Sequence, residues 1–210
     1  MTSGNHHLHT IVIGDDPASW TEAGFTVDDH RLRIGNTTLD LVGGEQGGIT
    51  GIGIEAVADA IDGLTCDSQP VDARVHPHAN HVDGIDHLVV MSPAMNRTTE
   101  ALATAGIEVR RERRFSVDGE ARRQCFFWLG DVILELVGRD DVEAEGPAQF
   151  WGLALSCDDL VAAAGSLGDR LGPPRPAVQG GRSIATIRTS ALGISVPIAL
   201  MTPHHGPDHQ

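Results

Sequence analysis

The sequence predicts an α+β chain built from tandem βαβββ modules, and three observations predict it. Ile34–Gly43 (IGNTTLDLVG) aligns without gaps on Leu129–Gly138 (LGDVILELVG), an offset of 95 residues. Two shorter blocks recur in the same order, His9–Ile13 on His87–Met91 and Gly51–Ile54 on Gly152–Leu155, at offsets of 78 and 101. Apolar runs of strand length also alternate with helix-length segments that carry their own start and stop residues. Repeated blocks in a shared order with slowly growing offsets mean a duplication whose second copy is the longer.

The second copy reads element by element. Ile85–Met91 is a strand; Ser92 and Pro93 suit an N-cap and a first-turn proline. A helix follows to Ala105, and Gly106 suits its left-handed stop. Ile107–Phe115 and Gln124–Leu129 are strands around an Asp118-Gly119 hairpin turn, and Gly130-Asp131 turns into the strand Val132–Val137. A second module begins with the strand Phe150–Ser156, with Asp158 as N-cap of a helix over 159–171. Pro173, Pro174 and Pro176 end that helix, and Arg182–Thr189 and Ile194–Met201 are closing strands. The first copy compresses the same grammar: strand His9–Ile13, an Asp16-Pro17 cap, a short helix to Gly24, then strands ending at Val42. Its second module, Ile49–Glu55 with Val57–Leu64, loses its later strands. The expected organisation is an abbreviated half over 1–64, a linker over 65–84, a complete domain over 85–203 and a flexible tail over 204–210.

Composition narrows the chemistry. The chain has 210 residues and a formal net charge of −14, with 29 acids against 15 bases, every base being arginine. With no lysine and no tyrosine there is no lysine Schiff base, no P-loop lysine and no tyrosine acid. An acidic chain disfavours nucleic acid, which is held by clustered positive charge. The longest apolar runs fall far short of the roughly 20 residues of a membrane span. The start of the sequence lacks a basic-then-apolar leader pattern, and three scattered cysteines (Cys66, Cys125, Cys157) suit a reducing, cytoplasmic compartment. Cys125 reads as one face of an alternating strand opposite Phe126, not as a reactive thiol. Half of the second copy's arginines gather between Arg110 and Arg123, leaving the front of the chain the more acidic.

Modules that open with a histidine on the first strand and close on a carboxylate within Leu134-Glu135-Leu136 resemble the vicinal oxygen chelate superfamily. That group holds glyoxalase I, bleomycin-resistance proteins and extradiol dioxygenases. Asp86-His87-Leu88 and the run Leu153–Leu160 carry the rest of the resemblance. It implies curled mixed sheets around a cleft, in the glyoxalase-like manner. It also implies a divalent metal (Zn, Ni, Fe or Mn) on His87 and Glu135, with Glu135 moving a proton. The matching positions of the second module hold Gly152 and Ala199, whose side chains cannot bind metal. His9 and Asp40 occupy the corresponding places of the first copy. Facing modules would therefore assemble a His9, Asp40, His87 and Glu135 set; otherwise these are hydrogen-bonded strand histidines and polar cleft carboxylates.

If Glu135 faces the cleft, Arg123, Phe127, Trp151 and Arg182 are candidate wall residues suited to a planar or carboxylated small molecule. His76, His78 and His81, and the tail His204, His205 and His209, read as adventitious surface metal binders. Gly51-Ile-Gly53 matches a dinucleotide fingerprint only formally, its glycines lying within a strand, so no nucleotide cofactor is expected. Serines 92, 156 and 195 lack nucleophile-elbow surroundings. Two functions follow from the resemblance. One is a metal-dependent lyase, isomerase or dioxygenase; the other is a metal-free binding or sequestering protein of the bleomycin-resistance kind. Either acts as a monomer or homodimer on a small-molecule ligand.

Overall fold

A computed structural model of the chain describes residues 6–67 and 69–203. The tail over 204–210, with its three histidines, lies outside the described residues. Thirteen strands and three α-helices follow in chain order: β1 (Leu8–Ile13), α1 (Pro17–Glu22), β2 (Arg31–Ile34), β3 (Thr37–Leu41), β4 (Ile49–Ile54), β5 (Cys66–Asp67), β6 (Val82–Ser92), α2 (Met95–Thr104), β7 (Arg111–Val117), β8 (Glu120–Leu129), β9 (Val132–Arg139), β10 (Gln149–Cys157), α3 (Leu160–Leu167), β11 (Arg175–Pro176), β12 (Ser183–Thr186) and β13 (Ile198–Met201).

The local chemistry explains most boundaries. Asp16 caps α1 by accepting from the Ala18 N–H at 2.8 Å, and Pro17 supplies the pre-set φ of the first turn. Ser92 is not the cap of α2. Its Oγ accepts from the Ala94 N–H at 2.9 Å and pairs with Thr98 Oγ1 at 2.6 Å, and the helix starts two residues later, with Ala94 at the cap position. Asp159, not Asp158, caps α3, accepting from Val161 and Ala162, because β10 runs on to Cys157 and leaves Asp158 in the turn. That helix stops at Leu167, where Gly168 turns to φ 56° and a single 3₁₀ turn follows over 168–170, short of the expected end at 171. Asp118 and Gly119, both at positive φ, form the two-residue turn expected between β7 and β8, which run on to Val117 and from Glu120. The first closing strand is shorter than expected, since a 3₁₀ turn over Thr189–Leu192 replaces its end.

Two sheets result, with strand orders β2-β3-β1-β4-β5 and β11-β12-β13-β10-β6-β9-β8-β7. In each, the first strands of two modules pair antiparallel (β1 with β4, β6 with β10), and each first strand pairs parallel with its module's last strand. Each copy of the duplication thus closes on itself. The first strands β1 and β6, whose pairing would have joined the two copies' histidines, belong to different sheets. Both halves contribute to one buried apolar cluster, from Ile11, Trp20 and Leu39 to Leu88, Phe127 and Leu200. Polar contacts also tie the halves: Arg97 Nε donates to Asp62 at 2.7 Å, and Arg170 to Glu22 at 2.8 Å.

The crossover is not merely a surface linker. Residues 69–78 hold neither helix nor strand, yet His78 is buried. Its Nδ1 accepts from the Thr26 N–H at 3.0 Å, which leaves Nε2–H to donate to the Arg33 carbonyl at 3.0 Å. Burial, against the pull of the Arg33 carbonyl, holds its pKa below the usual imidazole value. This corrects the expectation of a surface metal binder: both ring nitrogens are committed to pinning the crossover to the first sheet. No helix among the described residues is long and apolar enough to cross a membrane.

Candidate functional site

The eight-stranded sheet curls until its two edge strands, β7 and β11, line a single cavity of about 370 Å³. That size lies within the range of roughly 300–1,000 Å³ typical of small-molecule sites. His87 and Val89 of β6, Glu135 of β9 and Gln124 and Phe126 of β8 line it on one side. Trp151, Leu153 and Ala154 of β10, Ile184 of β12 and Ala199 and Met201 of β13 line it on the other. Arg113, Arg175, the run 176–179, Thr186, Pro197 and Ile198 complete the lining.

His87 is placed by an irregularity in β6. Opposite the adjacent residues Leu155 and Ala154 of β10 stand Ile85 and His87, so Asp86 is an extra, bulged residue. A bulge re-aims side chains that strict alternation would send to opposite faces. The Asp86 carboxylate therefore reaches its neighbour and accepts from His87 Nδ1 at 2.6 Å. Its second oxygen takes a charge-assisted hydrogen bond from the buried Arg182 guanidinium, whose Nε donates to the Thr202 carbonyl at 2.7 Å. Burial alone would raise the Asp86 pKa, but the hydrogen bonds from His87 and Arg182 outweigh it and hold the group at about 2. An ionised carboxylate only accepts, so Nδ1 carries the proton and Nε2 is left as the basic nitrogen. Glu135 is held by Gln124, whose Nε2 donates to Oε1 at 2.5 Å, and the Phe126 ring stands edge-on to His87 at 6.3 Å.

The structure brings His87, Glu135 and Trp151 to the cavity and sends the other candidates elsewhere. Arg123 and Phe127 are corrected by register. Phe126 pairs with Glu135 and Phe127 with Leu134, and residues directly opposite share a face. Phe127 is therefore fully buried on the opposite face of the sheet. Arg123 points the same way, donating to Asn96 at 2.8 Å and lying 3.3 Å from Asp140. Phe126 and Gln124 take their places. Arg182 does not line the cavity; it backs Asp86. Cys125 is buried beside Phe127's face, and burial pushes its thiol up despite Arg123.

His9 and Asp40 do not join His87 and Glu135. His9 lies over Gly53, where a β-carbon would collide with its ring, and the Gly51-Ile-Gly53 run lies within β4 and not in a loop. Asp40 lies 3.2 Å from Arg31 Nε and 3.4 Å from His30 on the first sheet. Among the described residues no group of three or more His, Cys, Asp or Glu is arranged to hold a metal ion.

The positions that would complete the superfamily's ligand set do not fit a metal either. Trp151 is bulged in β10 as Asp86 is in β6, which makes Gly152 the counterpart of His87. A β-carbon at Gly152 would stand 2.6 Å from the Pro197 carbonyl oxygen, too close for any side chain without backbone movement. Ala199 offers no donor. Two donors, His87 Nε2 and Glu135, are too few for a tight divalent site. The double variant Gly152→His/Ala199→Glu, which supplies the two missing ligand types, is expected to lose about 1–3 kcal/mol by overpacking. It should also show no stabilisation by equimolar Zn²⁺ in thermal melts. A clear Zn²⁺-dependent rise would show that Pro197 is no obstacle.

No protein-family model matches the chain, and no curated protein matches it in sequence. Solved structures do. The chain is similar to a mutant of 4-hydroxymandelate synthase from Streptomyces coelicolor, with a TM-score of 0.63 and 15 % identity over 97 % of this chain and 94 % of that one. Methylmalonyl-CoA epimerase from Mycobacterium tuberculosis gives a TM-score of 0.45 and 19 % identity over 59 % of this chain and 90 % of that one. The paired modules, their strand order and the likeness across nearly the whole chain establish that this protein has the vicinal oxygen chelate fold.

Proposed function

We propose that the cavity of the eight-stranded sheet binds a small, largely apolar molecule and that His87 and Glu135 exchange a proton with it without a bound metal. The observation that carries this reading is the Arg182–Asp86–His87 hydrogen-bond chain ending at the cavity wall that also holds Glu135. Asp86 fixes the imidazole tautomer and balances the imidazolium that forms when Nε2 takes a proton. Arg182 keeps Asp86 ionised, and Gln124 orients Glu135. A base held in one orientation beside a carboxylate, in an apolar cavity that limits water, is suited to general acid–base chemistry at a bound ligand.

A thermal-shift screen of small aromatic and apolar compounds tests the site. Hits should raise the melting temperature of the native chain and fail to do so when Ala199→Trp fills the cavity. Hits incubated in D₂O should exchange their most acidic C–H, followed by proton NMR. His87→Gln and Glu135→Gln should each slow that exchange by about 10²–10⁴-fold while affinity changes little. Exchange that persists in both variants defeats the catalytic reading. Tight binding with no exchange by the native chain favours the second reading, a binding or sequestering protein, which the predominantly apolar lining supports. A screen without cavity-dependent hits rejects the site altogether.

A further inference from the structure

The charge lining the cavity runs against the charge of the chain. Acids outnumber bases 29 to 15 overall, yet among the described residues that line the cavity Glu135 is the only acid, against two arginines. Those two, Arg113 and Arg175, are exposed and sit on the sheet's opposite edge strands, β7 and β11, which the curl brings to one cavity. Arg114, beside Arg113 on β7, illustrates the usual fate of an arginine here: it lies 2.8 Å from Asp140. Among the described residues, no carboxylate lies within 4.0 Å of Arg113 or Arg175. Arg113 instead lies 5.0 Å over the Phe115 ring, which steadies its stem and leaves its guanidinium edge to donate. In so acidic a chain, two guanidinium groups without carboxylates at the rim of one cavity are a site for an anion from outside, since the fork geometry matches carboxylate, phosphate or sulfonate.

The inner end sets the orientation. Glu135 of β9 and His87 of β6 lie on inner strands of the sheet, and the Glu135 carboxylate, held by Gln124 of β8, repels a second negative charge. An anionic group is therefore held outward, and the apolar body extends inward along Phe126, Val89, Leu153, Ile184 and Trp151. Building on the reading of this cavity as a small-molecule site, we propose that its ligand is an amphipathic anion. A flat apolar body occupies the cavity, and one anionic group is held by Arg113 and Arg175. This arrangement presents the end of the molecule remote from the anion to His87.

Two probes with the same rings separate the parts of this proposal: anilinonaphthalene sulfonate, and N-phenylnaphthylamine, which lacks the sulfonate. Fluorescence titration should show the native chain binding the sulfonate about tenfold more tightly than the neutral amine. Arg113→Gln/Arg175→Gln should erase that difference and leave the amine's affinity within about twofold, with an unchanged circular dichroism spectrum, since exposed edge positions cost little when substituted. Naphthoate and naphthyl phosphate then compete against the bound sulfonate. Displacement by either supports the proposal, the stronger competitor identifying the headgroup, and displacement by neither overturns it. Equal affinity of the native chain for both fluorescent probes, or a gap that survives in the double variant, also overturns it. If the amine binds and Ala199→Trp abolishes that binding, such a result leaves the cavity reading standing. Failure of both probes to bind defeats the inference and the cavity reading together.

Discussion

Arg182→Leu is expected to destabilise the chain by about 3–5 kcal/mol, because it strands the Asp86 carboxylate beside a buried imidazole. The Arg182 side chain is only 4 % exposed and that of Asp86 12 %, so solvent does little to replace the lost partner. In a chain of this length the loss corresponds to a fall in melting temperature of about 10 °C. Replacing both partners, Arg182→Leu with Asp86→Leu, should cost less than replacing the arginine alone, since no unpaired charge remains. A loss under about 0.5 kcal/mol would mean a solvated arginine and would break the Arg182–Asp86–His87 chain as described. The effect also depends on pH with a definite sign. Asp86 titrates at about 2 when folded against an ordinary 3.8. Its ionised form therefore stabilises the fold fully above about pH 4, and that contribution is lost as pH falls toward 2. The gap between native chain and Arg182→Leu should narrow over that window in acid denaturation curves.

Phe127→Ala is expected to cost about 3–5 kcal/mol in urea denaturation, since the ring is fully buried and its removal leaves a cavity. Binding of N-phenylnaphthylamine should survive wherever the variant is folded. Phe126→Ala, one residue away, should do the reverse. It should lose less than about 2 kcal/mol of stability, because the ring is only partly buried, and weaken the probe severely. Exchange of these two outcomes would mean that Phe127 and not Phe126 shares a face with Glu135, and the register of β8 on β9 would be wrong by one.

That register was legible without coordinates. Gly130-Asp131 is a two-residue hairpin turn, so Leu129 must pair with Val132, and counting outward brings Phe126 opposite Glu135. The expectation of Arg123 and Phe127 as wall residues failed because it followed residue character and not this count. Other departures were beyond sequence reasoning. Nothing in Asp86-His87 announces a bulge, because a bulge is defined by the partner strand: Ile85 and His87 must meet Leu155 and Ala154 before Asp86 becomes the extra residue. Likewise His78 looks like one of several histidines in a proline-rich crossover, and only the approach of Thr26 and Arg33 from the first sheet buries it.

The sequence by itself determined the modular plan: the duplication, the cap at Asp16 and the glycine turns, while His87 and Glu135, both of which line the cavity, were singled out by the resemblance. That plan rests on short-range chemistry and on repetition, both written along the chain. The tertiary structure alone decided which modules pair. Antiparallel pairing of β6 with β10 and of β1 with β4 closes each copy on itself and keeps His9 and Asp40 apart from His87 and Glu135. It also decided that the ends of one sheet share a cavity, bringing Arg113 and Arg175, 62 residues apart in sequence, to the same rim. The physical reason is that strand pairing and sheet curl are set by the summed packing of distant apolar faces, which no local stretch of sequence encodes.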